Sequence, residues 1–204
     1  AVSAISLSLM PAIASADCGK ARLADFDWNS ANVHTGIVQF ILEHGYGCEV
    51  ETTRGSTTPI MAAHYDSQLD VVTELWYDNI VTQYDAVEAE GIIENIGINT
   101  PDSQQAFYVD RNTVDKYNIK SVLDMNNPEI AALFSDPENP GMGRMVSCIG
   151  GWTCYTINHV KQRVYGLDKF YTNFDPGSSG ALAAEIAGAF AKDRPIFTYY
   201  WAPT

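Results

Sequence analysis

Apolar positions along the chain alternate between short runs and helical stripes. Residues 22–28 (RLADFDW) read as a strand. Residues 32–43 carry Val33, Ile37, Phe40 and Ile41 at the spacing of an amphipathic helix, with Ser30 available as a cap and Gly45 as a stop. A second strand is expected at 48–53, a helix at 57–65, a third strand at 69–75 (LDVVTEL) and a helix at 79–89. Strands and helices in this order predict a parallel sheet with helices on its faces. A second set follows. A strand is expected at 106–109 and a short helix at 112–117, then a helical stretch at 128–134 with Pro128 in its first turn. Residues 136–143 (DPENPGMG) read as a loop, 153–165 and 179–192 as helices, and 196–200 as a strand. The polar stretch 99–105 (NTPDSQQ) marks the expected boundary between two lobes.

Composition narrows the class. Hydrophobic residues at 46% and charged residues at 18% describe a folded globular chain. A net charge of −13 argues against nucleic acid and anionic membrane as partners, because both attract Lys and Arg. Residues 1–16 are uncharged and mostly small or apolar, and Ala14-Ser15-Ala16 fits a signal-peptidase site. They read as the remnant of a secretory signal that lacks its basic start, and the stretch is too short to cross a bilayer. Export permits disulfides, and the four cysteines are an even set. Cys148 and Cys154 flank Gly150-Gly151 closely enough for local closure, leaving Cys18 and Cys48 as further candidates. Zinc-type spacing is missing, and the 136–147 stretch has Pro140 and Ser147 where a calcium loop needs oxygen ligands. We therefore expect neither metal nor cofactor.

The chemistry centres on tryptophan. Trp28 and Trp76 end predicted strands, Trp201 follows the last one, and Trp152 opens a helix after a diglycine turn. Ligands of open parallel sheets sit beyond the carboxyl ends of the strands. An indole face attracts a methylated ammonium by cation–π attraction, and such a cation offers no N–H for a hydrogen-bond fork. An anionic end, where a ligand has one, would suit the backbone amides that follow Trp152 at a helix N-terminus.

Cys148-Ile149-Gly150-Gly151-Trp152-Thr153-Cys154, followed by Ile157-Asn158-His159, resembles the signature of the glycine betaine-binding proteins of ABC importers. Leu69 to Trp76 and Pro195 to Pro203 (PIFTYYWAP) resemble two further stretches of that family in the same order. The resemblance implies an α/β, two-lobed periplasmic-binding-protein fold of type II with parallel-rich sheets. Residues 17–104 would form lobe 1 and 105–198 lobe 2. The stretch 199–204 would begin the return to lobe 1, with the remainder of a longer chain absent. It implies a Cys148–Cys154 disulfide, an aromatic box of Trp76, Trp152 and Trp201, and carboxylate-binding amides at Thr153 and Cys154. The implied function is that of a periplasmic or otherwise extracytoplasmic binding protein, a monomer with no enzymatic activity. It would deliver a small methylated amine to ABC permease subunits.

Some residues depart from the family pattern. Ile80 stands where betaine binders can carry a carboxylate-holding His. Trp28 would add a fourth wall, and Glu74 and Tyr77 flank Trp76, with Glu74 on the same strand face as the ring. These features suit a smaller or less acidic ligand, such as trimethylamine N-oxide or choline. An exported thiol oxidoreductase using Cys148 and Cys154, or a hydrolase, is the competing class. Neither a C-x-x-C nor a G-x-S-x-G motif supports it.

Overall fold

The computed structural model describes residues 18–203, so the signal remnant expected at 1–16 lies outside the described residues. Two sheets organise the chain. The first has the order β2-β1-β3 and is wholly parallel: β1 (Lys20–Phe26) lies between β2 (Glu49–Gly55) and the two-residue β3 (Val71–Val72). The second has the order β4-β7-β5-β6, from β4 (Gln104–Val109), β5 (Gly143–Val146), β6 (Tyr171–Phe174) and β7 (Phe197–Ala202). Among the strands of the described residues, only the β4–β7 pair is antiparallel. The α/β architecture with parallel-rich sheets is thus as expected. β7 runs on to Ala202, so residues 199–202 belong to the second sheet.

Helices α1 (Asn29–Ile41), α2 (Thr57–Tyr65) and α3 (Val81–Ala89) accompany the first sheet. The second carries α4 (Arg111–Tyr117), α5 (Pro128–Ala131), α6 (Thr153–Val164) and α7 (Ser179–Phe190). Local chemistry accounts for several ends. Asp110 and Ser178 cap α4 and α7 through their side chains, and Asn127 caps α5 with Pro128 at its first position. A π-helical turn, Leu42–Tyr46, extends α1 until left-handed Gly47 ends it, two residues later than Gly45 was expected to. Among the described residues, no helix is long and apolar enough to cross a membrane.

Three expectations need correction. β5 and β6 were not foreseen. Their four residues each are stabilised by neighbouring strands and carry no alternating pattern of their own. The strand expected over 69–75 contracts to Val71–Val72, because beyond Val72 the chain leaves β1 and turns its polar groups into the site. The stripe Val33, Ile37, Phe40 and Ile41 on α1 is 48–63% exposed. Instead α1 seats Ala31 and Thr35 on the sheet, Thr35 donating its hydroxyl to the Ala24 carbonyl. Small side chains allow that close approach, and the larger apolar residues lie on other faces of the helix.

One hydrophobic cluster joins both sheets, running from Phe26, Ile60 and Leu69 to Cys148, Leu182 and Trp201. A second lies within the β4–β7 half around Met145, Leu167, Tyr171 and Phe197. The 136–143 loop is held by Asp136, which is buried. Its carboxylate accepts from Thr172, Asn139, the Glu138 amide and Arg144, the last at 2.9 Å. Burial pushes this carboxyl up, but the hydrogen bonds outweigh it and hold it well below the usual carboxylate range.

Asp136→Ala leaves the half-buried Arg144 guanidinium with only the exposed Glu138 carboxylate at 3.6 Å. We expect a loss of about 3–5 kcal/mol in denaturant unfolding at neutral pH. A depressed carboxyl stabilises the fold above its unfolded pKa and stops doing so as pH falls through its folded one. The difference between Asp136→Asn and the unsubstituted protein should therefore shrink as pH drops below about 4.

Candidate ligand-binding site

The carboxyl ends of β1, β3, β5 and β7 meet between the two sheets. β1 ends at Phe26, and the chain passes through Asp27 to Trp28, which is the N-cap residue of α1. Beyond β3 the chain is irregular through Glu74 to Trp76, which precedes a single turn of 3-10 helix, Tyr77–Asn79. β5 leads through Ser147 and Cys148 to the Gly150-Gly151 turn and then Trp152, the N-cap residue of α6. Trp201 lies one residue before the end of β7.

These four segments bring the four indoles together. Trp28 and Trp152 meet edge to face at 5.2 Å between ring centroids, and Trp152 and Trp201 do the same at 5.3 Å. Phe26 stacks behind Trp28 at 4.5 Å, and Tyr200 stacks on Trp201 at 4.5 Å. Trp28, Trp152 and Trp201 are each buried, and Trp76 packs partly buried against the same cluster. Trp28, Trp152 and Trp201 thus touch in series, and Trp76 joins them through Glu74.

Glu74, only 5% exposed, ties the first two rings. One carboxylate oxygen, Oε1, accepts from Trp28 Nε1 at 2.7 Å, Trp76 Nε1 at 3.0 Å and Ser30 Oγ at 3.0 Å. The other oxygen lies 2.9 Å from His34 Nδ1 but makes no hydrogen bond among the described residues. Ser30 and His34 are one turn apart on α1 and reach Glu74 from the same helix face. Glu74 is thus an internal acceptor at the site. Trp152 Nε1 donates to Asp27 Oδ1 at 2.6 Å. Trp201 Nε1 is buried with no acceptor within reach among the described residues.

Around Trp152 the backbone is tightly specified. Cys148 and Cys154 form a disulfide across the turn, and Cys18 and Cys48 form another between the start of the described chain and β2. Thr153 and Cys154 occupy the first turn of α6, where amides lack intrahelical acceptors. Gly151 has φ +91°, and a Cβ there would lie 2.6 Å from Ser56 Oγ at the start of α2. Its carbonyl accepts from the Thr58 amide at 3.3 Å. The turn that carries Trp152 is therefore pressed directly against the other half of the molecule.

Tyr77 is placed differently. It is 40% exposed, and its hydroxyl donates to Asp85 at 2.7 Å. That hydrogen bond to a carboxylate, with lesser help from burial and neighbouring acids, pushes its phenol up to about 12. Ile80, buried, adds no donor to the site. Asp27, Ser30 and His34 were missed from the sequence. The available signal was their position on the strand-to-helix turn that presents Trp28.

The comparisons with known proteins bear on this arrangement. The family model for the substrate binding domain of ABC-type glycine betaine transport systems, OpuAC, matches residues 19–204. The chain belongs to this family. Among curated relatives, the glycine betaine/proline betaine-binding periplasmic protein of Escherichia coli is 28% identical over 128 residues, covering 62% of this chain and 37% of that protein. The chain spans about a third of the length of the curated relatives it matches. Among solved structures, the glycine/betaine/L-proline-binding protein ProX of Borrelia burgdorferi superposes with a TM-score of 0.75 at 17% identity, covering 91% of this chain and 64% of that one. A choline-binding protein of an ABC transporter, solved with choline, gives a TM-score of 0.72 at 18% identity, covering 91% and 61%. These structures share the two-lobed binding-protein fold with this OpuAC-family chain. The matched relatives are binding proteins by name.

Gly151→Ala should destabilise the chain by about 1–2 kcal/mol for the left-handed backbone alone, with the Ser56 contact adding to it. Adding Ser56→Gly should restore the second part, measured by denaturant unfolding. No recovery in the double variant would contradict the contact.

Proposed function

We propose that the protein is an extracytoplasmic solute-binding protein that captures a methylated ammonium compound among Trp28, Trp76, Trp152 and Trp201 and hands it to the permease of an ABC importer. The observation that carries this reading is the convergence of four indoles from four distant segments, with three N–H groups turned onto carboxylates. Rings held by their N–H edges keep their faces available to a cation, and each face contributes about 0.5–2 kcal/mol depending on desolvation. Membership of the OpuAC family supports the transport role. The periplasmic curated relatives support a place outside the cytoplasm, and so do two disulfides.

In this reading the ligand's methyl groups lie against the rings, and the Thr153 and Cys154 amides receive an oxygen of the ligand where it has one. Opening the sheets admits the ligand and closing them completes the box, as in hinge-type binding proteins. Glycine betaine is the ligand of the family's name. Choline or trimethylamine N-oxide is a second reading, favoured by Ile80 in place of a donor and by the carboxylate of Glu74 at the rings.

Titration with glycine betaine, choline and trimethylamine N-oxide should change tryptophan emission saturably and raise the melting temperature for at least one of them. Trp152→Ala removes the ring that touches two others and should weaken binding by about 2–4 kcal/mol, as loss of a buried anchor does. Calorimetry showing unchanged affinity in Trp152→Ala would remove the cage.

A further inference from the structure

Two carboxylates stand directly behind the indole rings, and no lysine or arginine is paired with either among the described residues. Glu74 holds Trp28 and Trp76, and Asp27 holds Trp152. The basic groups nearby are otherwise engaged or weak. His34 is the only one against Glu74, and Arg54 is paired with Asp25. Glu74 Oε1 receives three donors at once, from Trp28, Trp76 and Ser30.

We infer that Glu74 and Asp27 set ligand specificity, making the cage select a methylated monocation such as choline over a carboxylate-bearing zwitterion such as glycine betaine. The inference rests on the cage reading above and deepens it. Two physical effects act in the same direction. An N–H donated to an anion polarises the ring that carries it, which strengthens the negative face offered to a cation. The two charges also act through space in a site that excludes water, where screening is weak. A monocation gains from both. A zwitterion gains at its ammonium end but brings a carboxylate into the same field, repelled by the charges that attract the other end. Choline and glycine betaine differ chiefly in carrying a hydroxyl or a carboxylate beyond the same trimethylammonium, so their affinity ratio isolates this effect. Glu74 and Asp27 act through the indoles and are positioning residues. A purely structural role would lower both affinities together.

The test is calorimetric titration of the protein and of Glu74→Gln and Asp27→Asn with choline and with glycine betaine. Each substitution keeps an amide oxygen for the indole N–H and removes the charge. The unsubstituted protein should bind choline more tightly, and in each variant the choline-to-betaine affinity ratio should fall by about tenfold, the order a unit charge a few ångströms away imposes. Asp27→Asn, with one indole on its carboxylate, carries the test if Glu74→Gln does not fold. Equal losses for both ligands would overturn the inference and leave the cage standing. Binding of trimethylamine N-oxide but of neither ligand would overturn the inference, and binding of none of the three would overturn the cage itself.

Discussion

A buried carboxylate that accepts indole N–H groups is the interaction on which this site depends. Glu74 is nearly inaccessible, and an isolated carboxylate there would be costly. Two indoles, a serine and a histidine surround it. Each indole has one donor and no acceptor, so donating to Glu74 Oε1 fixes the edge of each ring and leaves its face to other contacts. Asp27 does the same for Trp152 from the neighbouring turn.

The fold supplies the geometry. Parallel strands point their carboxyl ends the same way within each sheet, and the two sheets present those ends to one another. The diglycine turn is short, its disulfide closes it, and Gly151 alone permits the approach to Ser56. Trp152 thereby crosses from its own half to reach Asp27 and Trp28. A single hydrophobic cluster runs beneath both halves at this point, so ring placement and the contact between the halves are coupled.

Much of this was legible in the residues. Trp28, Trp76, Trp152 and Trp201 sit beside strand ends or helix starts, where a parallel sheet exposes ligand-facing positions, and the Cys148 to Cys154 motif announced its turn. Helix α2 fell on the expected residues. What was not legible depended on partners distant in sequence. β5 and β6 are too short to show a pattern. The large apolar residues of α1 misled because periodicity identifies a stripe but not which stripe meets the sheet. Here Ala31 and Thr35 do, being small enough for close packing. Tyr77 looked like a site residue beside Trp76, yet Asp85 captures its hydroxyl. Glu74 was noticed for sharing a face with Trp76, but its bond to Trp28 spans 46 residues and has no local signature.

The central claim is that four indoles form one site, and their own N–H signals report on it directly. In a 1H–15N spectrum of the indole groups, titration with choline should move all four resonances along one saturable curve. The signals of Trp28, Trp76 and Trp152 should already lie downfield as donors to carboxylates. Four resonances that respond separately, or a single one that moves while the others stay fixed, would contradict a shared cage.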